Sequence, residues 1–220
     1  MTTVWFIRHA QSISNANMVT THPATSEITE LGHQQAEFIV PTFTKRPDLI
    51  VVSPYVRTWQ TAVPTIEYFK PIQVEEWPVH EFTYLHPERY NGTRGSDRAD
   101  FARAYWHRND PFEKEMDDGE SFAEMIERIE DMMARLREQE QDFIAVFSHG
   151  LFIRALIWMQ LMHPVTPTKG LMLRYRHFIL GFQLPNASIV KTIVPPEGPI
   201  QLQGIYFDHL PEELQLKRKG

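Results

Sequence analysis

The sequence predicts an α/β fold with three layers, in which helices cover both faces of a mostly parallel central sheet. Short apolar runs bounded by turn residues alternate with segments of helical periodicity, as in chains that form such sheets. The chain has 220 residues, of which 42% are hydrophobic and 23% charged. This length and composition suffice for one domain with a full core. We therefore expect a single domain over residues 1–220, with a cap insertion at about 82–118.

The first half of the chain gives two strands and two helices in alternation. The apolar run at residues 3–7 predicts the first strand, and Thr29 can cap a helix that ends near residue 40. Residues 49–52 predict a second buried strand. After it, Ser53 offers an N-cap and Pro54 a first helical position for a helix to about residue 69.

The second half begins with the clearest helix, at residues 121–139, where Ser121 and Glu124 form a capping box. Its apolar residues recur at steps of three and four. Residues 143–147 then predict a buried strand, and residues 151–162 predict a helix. Beyond residue 170 the pattern predicts three further strands, at residues 171–176, 179–183 and 188–194.

The segment at 82–118 has no clean periodicity and interleaves aromatic residues with five arginines. Because a connection this long is usually functional or contains its own helices, we expect a helical insertion over the carboxyl ends of the strands. Its arginines should be solvated or paired with Asp97, Asp100 and Asp110, and Arg94 is the candidate among them for contact with a ligand.

Composition excludes several classes of function. The chain has no cysteine, which excludes disulfides, thiolate nucleophiles and zinc sites with cysteine ligands. A formal net charge of -6 argues against nucleic-acid binding. The N-terminal residues do not resemble a secretion signal, and no apolar run is long enough to cross a bilayer. We expect a cytoplasmic protein without a membrane partner; a homodimer has no support in the sequence.

Basic side chains follow three of the predicted elements at the same end of the sheet. Arg8 and His9 follow the first strand, His149 follows the strand at 143–147, and Arg57 lies in the first turn of the helix after residues 49–52. Open α/β sheets bind their ligands at strand carboxyl ends. Two imidazoles and two guanidiniums gathered there need an anion between them, and arginine matches the oxygens of a phosphate.

These residues resemble the histidine phosphatase superfamily, also called the phosphoglycerate mutase-like family. The resemblance covers nearly the whole chain in order, and the family's Arg-His-Gly signature and following asparagine correspond to Arg8, His9, Ala10 and Asn15. The segments that carry it are FIRHAQS at 6–12, TELGHQQA at 29–36, SPYVRTWQTA at 53–62, HEF at 80–82, GES at 119–121 and SHG at 148–150.

The resemblance implies a histidine acid phosphatase-type phosphoric monoester hydrolase. His9 would attack phosphorus to form a phosphohistidine, which water hydrolyses to inorganic phosphate. His9 must then be neutral, with its other ring nitrogen on a backbone carbonyl. Glu81 would protonate the leaving oxygen and later activate water, although Glu75 and Glu76 lie near it in sequence. The implied ligands of the phosphoryl group are Arg8, Asn15, Arg57 and His149.

Several alternatives stay open at this point. A phosphoglycerate mutase-type phosphotransferase would use the same chemistry on His9. One feature supports a catalytically silent phosphate-binding member: Ala10 replaces the usual glycine. Alanine would be strained there if its φ had to be positive. A metal site with Glu81 as third ligand is disfavoured because two adjacent arginines would repel the ion. We expect neither a metal nor an organic cofactor, and a small phosphorylated substrate that the sequence does not identify.

Overall fold

The first strand places the predicted nucleophile one residue beyond its end. In a computed structural model, which describes residues 1–116, 118–162 and 165–215, this strand spans Thr2–Arg8. The six strands of the described part are β1 (Thr2–Arg8), β2 (Leu49–Val52), β3 (Gln73–Glu76), β4 (Phe143–Ser148), β5 (Ile189–Val194) and β6 (Gln201–Tyr206). Its six α-helices are α1 (Glu30–Glu37), α2 (Val56–Tyr68), α3 (Ala99–Arg108), α4 (Phe122–Arg137), α5 (Gly150–Met162) and α6 (Lys169–Gly181).

The strands form one mixed sheet in the order β3-β2-β4-β1-β5-β6. The first four of these are parallel, whereas β5 and β6 are antiparallel to their neighbours. Arg8 pairs with Ser148, and Val52 pairs with Phe147. This register aligns the carboxyl ends of β1, β4 and β2, so that the residues that follow them meet at one edge of the sheet.

Alternating side chains of the strands pack into two cores, one on each face of the sheet. Val4 and Phe6 of β1 contact the larger core, to which α4, α5 and α6 contribute. Trp5 and Ile7 contact the other core, which includes Ala62 of α2, and α1 packs against α2. The predicted α/β fold with helices on both faces of a mostly parallel sheet is therefore confirmed.

Most predicted elements are confirmed to within a few residues, but the predicted strands at 171–176 and 179–183 are wrong. The first lies wholly in the helix α6, and the second overlaps its end at Gly181. Thr168 caps this helix by accepting a hydrogen bond from the backbone N–H of Leu171. Met172 and Tyr175 are its buried residues, at a helical spacing of three. Short apolar runs fit a buried helix as well as a strand, which is why periodicity misassigned them.

The start of α2 also differs from the prediction. Tyr55 precedes its first residue, and no side chain of the described ranges caps it. The Ser53 hydroxyl instead accepts a hydrogen bond from the Tyr55 N–H over 3.3 Å and bonds to His149 over 2.8 Å. Ser53 thus belongs to the edge of the sheet where the basic residues meet. Thr29, by contrast, is confirmed as the N-cap of α1, although that helix ends at Glu37.

The insertion at 82–118, in which Asp117 lies outside the described residues, contains α3 and two short 3₁₀ turns, Pro87–Tyr90 and Ser96–Arg98. It covers the carboxyl ends of the strands, because Tyr84 and Tyr90 line the same cavity as His9. Arg103 pairs with Asp100 as expected. Arg94 is exposed and does not line that cavity.

No α-helix in the described ranges has both the length and the hydropathy needed to cross a membrane.

Candidate active site

The imidazole of His9 is buried directly after β1, with 2% of the residue exposed. Its Nδ1 lies 2.7 Å from the backbone carbonyl of Ala10. Burial holds the pKa of His9 well below its usual range, and the nearby guanidiniums of Arg57 and Arg8 lower it further. A neutral ring whose Nδ1–H donates to a carbonyl has its lone pair on Nε2. This is the tautomer that a nucleophilic histidine requires.

Arg57 holds the other side of this ring from the first turn of α2. Its Nε donates to His9 Nε2 over 3.2 Å, and its Nη1 donates to the backbone carbonyl of Pro23 over 2.5 Å. Burial lowers the pKa of Arg57, but an arginine stays charged at neutral pH. The guanidinium is therefore fixed beside the nitrogen that would attack phosphorus.

Arg8 ends β1 and is anchored by a hydrogen bond from Nη1 to the backbone carbonyl of Leu184. Burial lowers its pKa to about 10, so it too is a cation at neutral pH. Gly150 makes room for it, since a Cβ at that position would lie 3.0 Å from Arg8 Nε. The glycine after the second histidine is thus explained by a close approach of the first arginine.

His149 follows the buried core of β4 and is fully buried. Its Nε2 bonds to the Ser53 hydroxyl over 2.8 Å, while its Nδ1 has no hydrogen-bond partner among the described residues. The ring centroids of His9 and His149 are 5.1 Å apart. Burial, followed by the charge of Arg57, holds the pKa of His149 well below its usual range. The structure therefore brings both predicted histidines together as neutral rings.

Glu81 lies at the N-terminus of α5. Its Oε1 accepts hydrogen bonds from the backbone N–H groups of Leu151 at 2.9 Å and of Phe152 and Phe82 at 3.2 Å each. The other carboxylate oxygen, Oε2, takes no part in these bonds. The two alternatives, Glu75 and Glu76, lie on β3 and bond to tryptophan indoles, away from the cavity.

Asn15 lines the cavity with its amide held in one orientation. Its Oδ1 receives hydrogen bonds from the Ser12 N–H at 3.3 Å, the Ser12 hydroxyl at 3.1 Å and Asn186 Nδ2 at 2.9 Å. With its oxygen engaged by three donors, Asn15 keeps its NH₂ group for a ligand.

The alanine in place of the family's glycine fits without strain. Ala10 is fully buried and is absent from the described residues with positive φ. Its methyl group packs in a small cluster with Ile28 and Ala36, and its N–H donates to Thr61 Oγ1 over 3.0 Å. Residue 10 therefore does not adopt the positive φ that would have excluded alanine.

A cavity of about 340 Å³ opens between the carboxyl ends of the strands and the insertion. Of the predicted site residues, Arg8, His9, Asn15, Arg57 and Glu81 line it, whereas His149 does not. Among the described residues that line it, three arginines face a single carboxylate, so its charge favours an anion. The lining residues are Arg8, His9, Ser12, Ser14, Asn15, Pro23, Ser26, Arg57, Glu81, Phe82, Thr83, Tyr84, Tyr90, Leu151 and Arg154.

Sequence reasoning missed two residues of this region. Arg154 donates to the carbonyls of Gly150 at 2.9 Å and Ile179 at 2.8 Å, which ties α5 to α6 at the cavity wall. Its spacing of one helical turn from Gly150 could have indicated it. Asn186 gives no such signal, because it contacts His9 across 177 positions of sequence.

Within the described ranges, no group of three histidine, aspartate or glutamate side chains is arranged to hold a metal ion.

A family model decides the assignment. Residues 4–191 match the histidine phosphatase superfamily (branch 1). The chain belongs to this superfamily. A search of curated proteins found no significant match.

Solved structures of several phosphatases share the fold. A phosphoserine phosphatase from Entamoeba histolytica, solved in complex with 3-phosphoglyceric acid, is 22% identical with a TM-score of 0.68 over 96% of this chain and 100% of that chain. An α-ribazole phosphatase from Shigella flexneri is 19% identical with a TM-score of 0.70, over 91% and 94%. A mycobacterial glucosyl-3-phosphoglycerate phosphatase is 22% identical with a TM-score of 0.64, over 92% and 97%. At these identities the likeness shows the fold.

Proposed function

We propose that the protein is a metal-independent phosphomonoesterase that acts on a small phosphorylated substrate through a phosphohistidine. One observation carries the proposal: a buried, neutral His9 presents Nε2 beside the guanidinium of Arg57. His9 lines the cavity, and its Nδ1 lies on the Ala10 carbonyl, so its Nε2 lone pair is available to attack phosphorus. His149 is neutral as well, but its Nε2 bonds to Ser53.

In the first step, His9 Nε2 attacks phosphorus as the bond from phosphorus to the ester oxygen breaks. The leaving oxygen takes a proton from Glu81 Oε2. Because three backbone N–H groups bind Oε1, Oε1 serves as the carbonyl oxygen of the protonated acid and Oε2 carries its proton. In the second step, Glu81 takes a proton from water, whose oxygen attacks phosphorus and returns the electron pair to His9.

The cations of the site stabilise the charge on the transferring phosphoryl group. Its oxygens would receive the hydrogen bond that Arg57 Nε now gives to His9, together with bonds from Arg8 and from the NH₂ group of Asn15. His149 would contribute through its unpartnered Nδ1. Preorganised donors of this kind supply most of the catalysis in phosphoryl transfer.

The cavity favours a small substrate. At about 340 Å³ it is near the lower end of the range for ligand pockets. Phe82, Tyr84 and Tyr90 of the insertion form part of its wall, so the leaving group would lie against aromatic rings. The named activities of the structural neighbours, on phosphoserine and on a glucosyl phosphoglycerate, agree with a phosphorylated metabolite.

The test is release of inorganic phosphate from an aryl phosphate and a panel of small phosphoesters in the presence of EDTA. We expect release by the native protein and none by His9→Ala. Isomerisation of 3-phosphoglycerate without net phosphate release would establish the phosphotransferase instead. Tight phosphate binding with no turnover would establish the silent binding protein.

A further inference from the structure

Asn186 connects two residues of the site without lining the cavity. It lies in the segment 184–188 that leads into β5 and is 4% exposed. Its Nδ2 donates to the backbone carbonyl of His9 over 3.0 Å and to Asn15 Oδ1 over 2.9 Å. An amide nitrogen has two hydrogens, and here each one holds a different residue of the site.

The same segment holds the site at two further points. The Leu184 carbonyl accepts from Arg8 Nη1, and the Ala187 N–H donates to the His9 carbonyl over 3.3 Å. Ala187 adopts a left-handed φ of 58° in a fully buried position. Non-glycine residues rarely hold this conformation unless the surroundings fix it. The segment is therefore a rigid support behind Arg8, His9 and Asn15.

We propose that Asn186 is a positioning residue that acts through Asn15, and this inference rests on the proposed function. A donor is needed at Asn186 because both of its partners are oxygen acceptors. By fixing the oxygen of Asn15, it fixes which end of that amide faces the phosphoryl group. Without it Asn15 Oδ1 keeps the two longer bonds from Ser12, at 3.1 and 3.3 Å. The amide is then held less firmly, and its oxygen can turn towards the anion.

The test is a double-mutant cycle of Asn15→Ala and Asn186→Ala, read as kcat/KM on the aryl phosphate and as Kd for inorganic phosphate. If Asn186 acts through Asn15, Asn186→Ala lowers kcat/KM and raises the phosphate Kd by about 10-fold each in the native background. In the Asn15→Ala background, the same substitution changes each by less than about 3-fold. A residue that only supports the fold would cost the same factor in both backgrounds, and that result would overturn the proposal.

Asn186→Asp is a sharper variant because it keeps the shape and replaces the donor with an acceptor. The new carboxylate oxygen would face the His9 carbonyl oxygen and Asn15 Oδ1 without a hydrogen to share. We therefore expect a loss in phosphate affinity at least as large as that of Asn186→Ala. A folded Asn186→Asp with native affinity would also contradict the proposal. Ser188→Ala is the matched control, since it removes a buried hydrogen bond to Pro185 in the same segment and should change the affinity less than about twofold.

The phosphate Kd separates failure of this inference from failure of the proposed function. If the native protein releases no phosphate from any ester, the proposed function fails, and the four proteins of the cycle still report the coupling through their affinity for inorganic phosphate.

Discussion

Arg57 Nε donates a hydrogen bond to His9 Nε2 over 3.2 Å. The nitrogen that would attack phosphorus is therefore the acceptor of this bond and carries no proton. The same guanidinium lowers the pKa of His9, second only to burial. One arginine thus keeps the proposed nucleophile unprotonated and lies where it would bind the phosphoryl oxygens. Substrate binding need only transfer this hydrogen bond from nitrogen to oxygen.

Replacing Arg57 by lysine should lower kcat/KM by about 10²–10³-fold, because a lysine provides a point charge without the fork that bonds to several atoms. The measurement is steady-state kinetics on an aryl phosphate. Arg103→Lys is the control, since Arg103 forms an exposed ion pair with Asp100; it should retain native kinetics. If kcat/KM of Arg57→Lys stays within about threefold of the native value, the guanidinium of Arg57 does not have the proposed role.

Glu81→Gln should affect substrates according to their leaving groups. Glutamine keeps an oxygen for the backbone N–H groups of α5 but cannot supply a proton. We expect the rate of the first step to fall by about 10²–10⁴-fold on an alkyl phosphate. On an aryl phosphate with an acidic phenol, this rate should fall much less. Equal losses on both substrates, measured under single-turnover conditions, would show that Glu81 is not the proton donor.

Ala10→Gly should leave activity intact and lower stability. The φ of Ala10 is not positive, so glycine relieves no strain, while it adds backbone freedom to the unfolded chain and removes a buried methyl group. We expect a loss of about 1–2 kcal/mol in the free energy of unfolding. Urea denaturation measures this. A glycine variant that is more stable, or several-fold more active, would show that alanine is strained after all.

The buried neutral histidines predict a loss of stability in acid. The folded-state pKa values of His9 and His149 lie well below 6.5, the ordinary value. The unfolded chain therefore binds protons below that pH, and stability falls as the pH drops from 6.5 towards the folded pKa. Each histidine contributes a slope of about 1.4 kcal/mol per pH unit in this window. His9→Asn should reduce the slope measured by urea denaturation by that amount; an unchanged slope would mean that His9 is charged in the folded protein.

The sequence was sufficient for the fold class and for the convergence of His9, Arg57 and His149 at one edge of the sheet, because both depend on local patterns. His9, Arg57 and His149 follow strands whose order along the chain can be read, and parallel strands bring their ends together. The helix α6 was misassigned because its apolar runs are short, and β3 and β6 were missed because these sheet-edge strands are short and largely exposed. Asn186 could not be found, since its role depends on a register across the sheet that no local pattern encodes.

In the proposed mechanism, the phosphoryl group is bonded to His9 between the two steps. The direct measurement is mass spectrometry of the native enzyme, mixed with an aryl phosphate and quenched within one turnover in alkali, where phosphohistidine survives. We expect phosphate on the peptide that contains His9, none on His9→Ala, and more of it in Glu81→Gln, whose second step lacks a base. Phosphate release at the native rate with no phosphorylated His9 peptide would contradict the account.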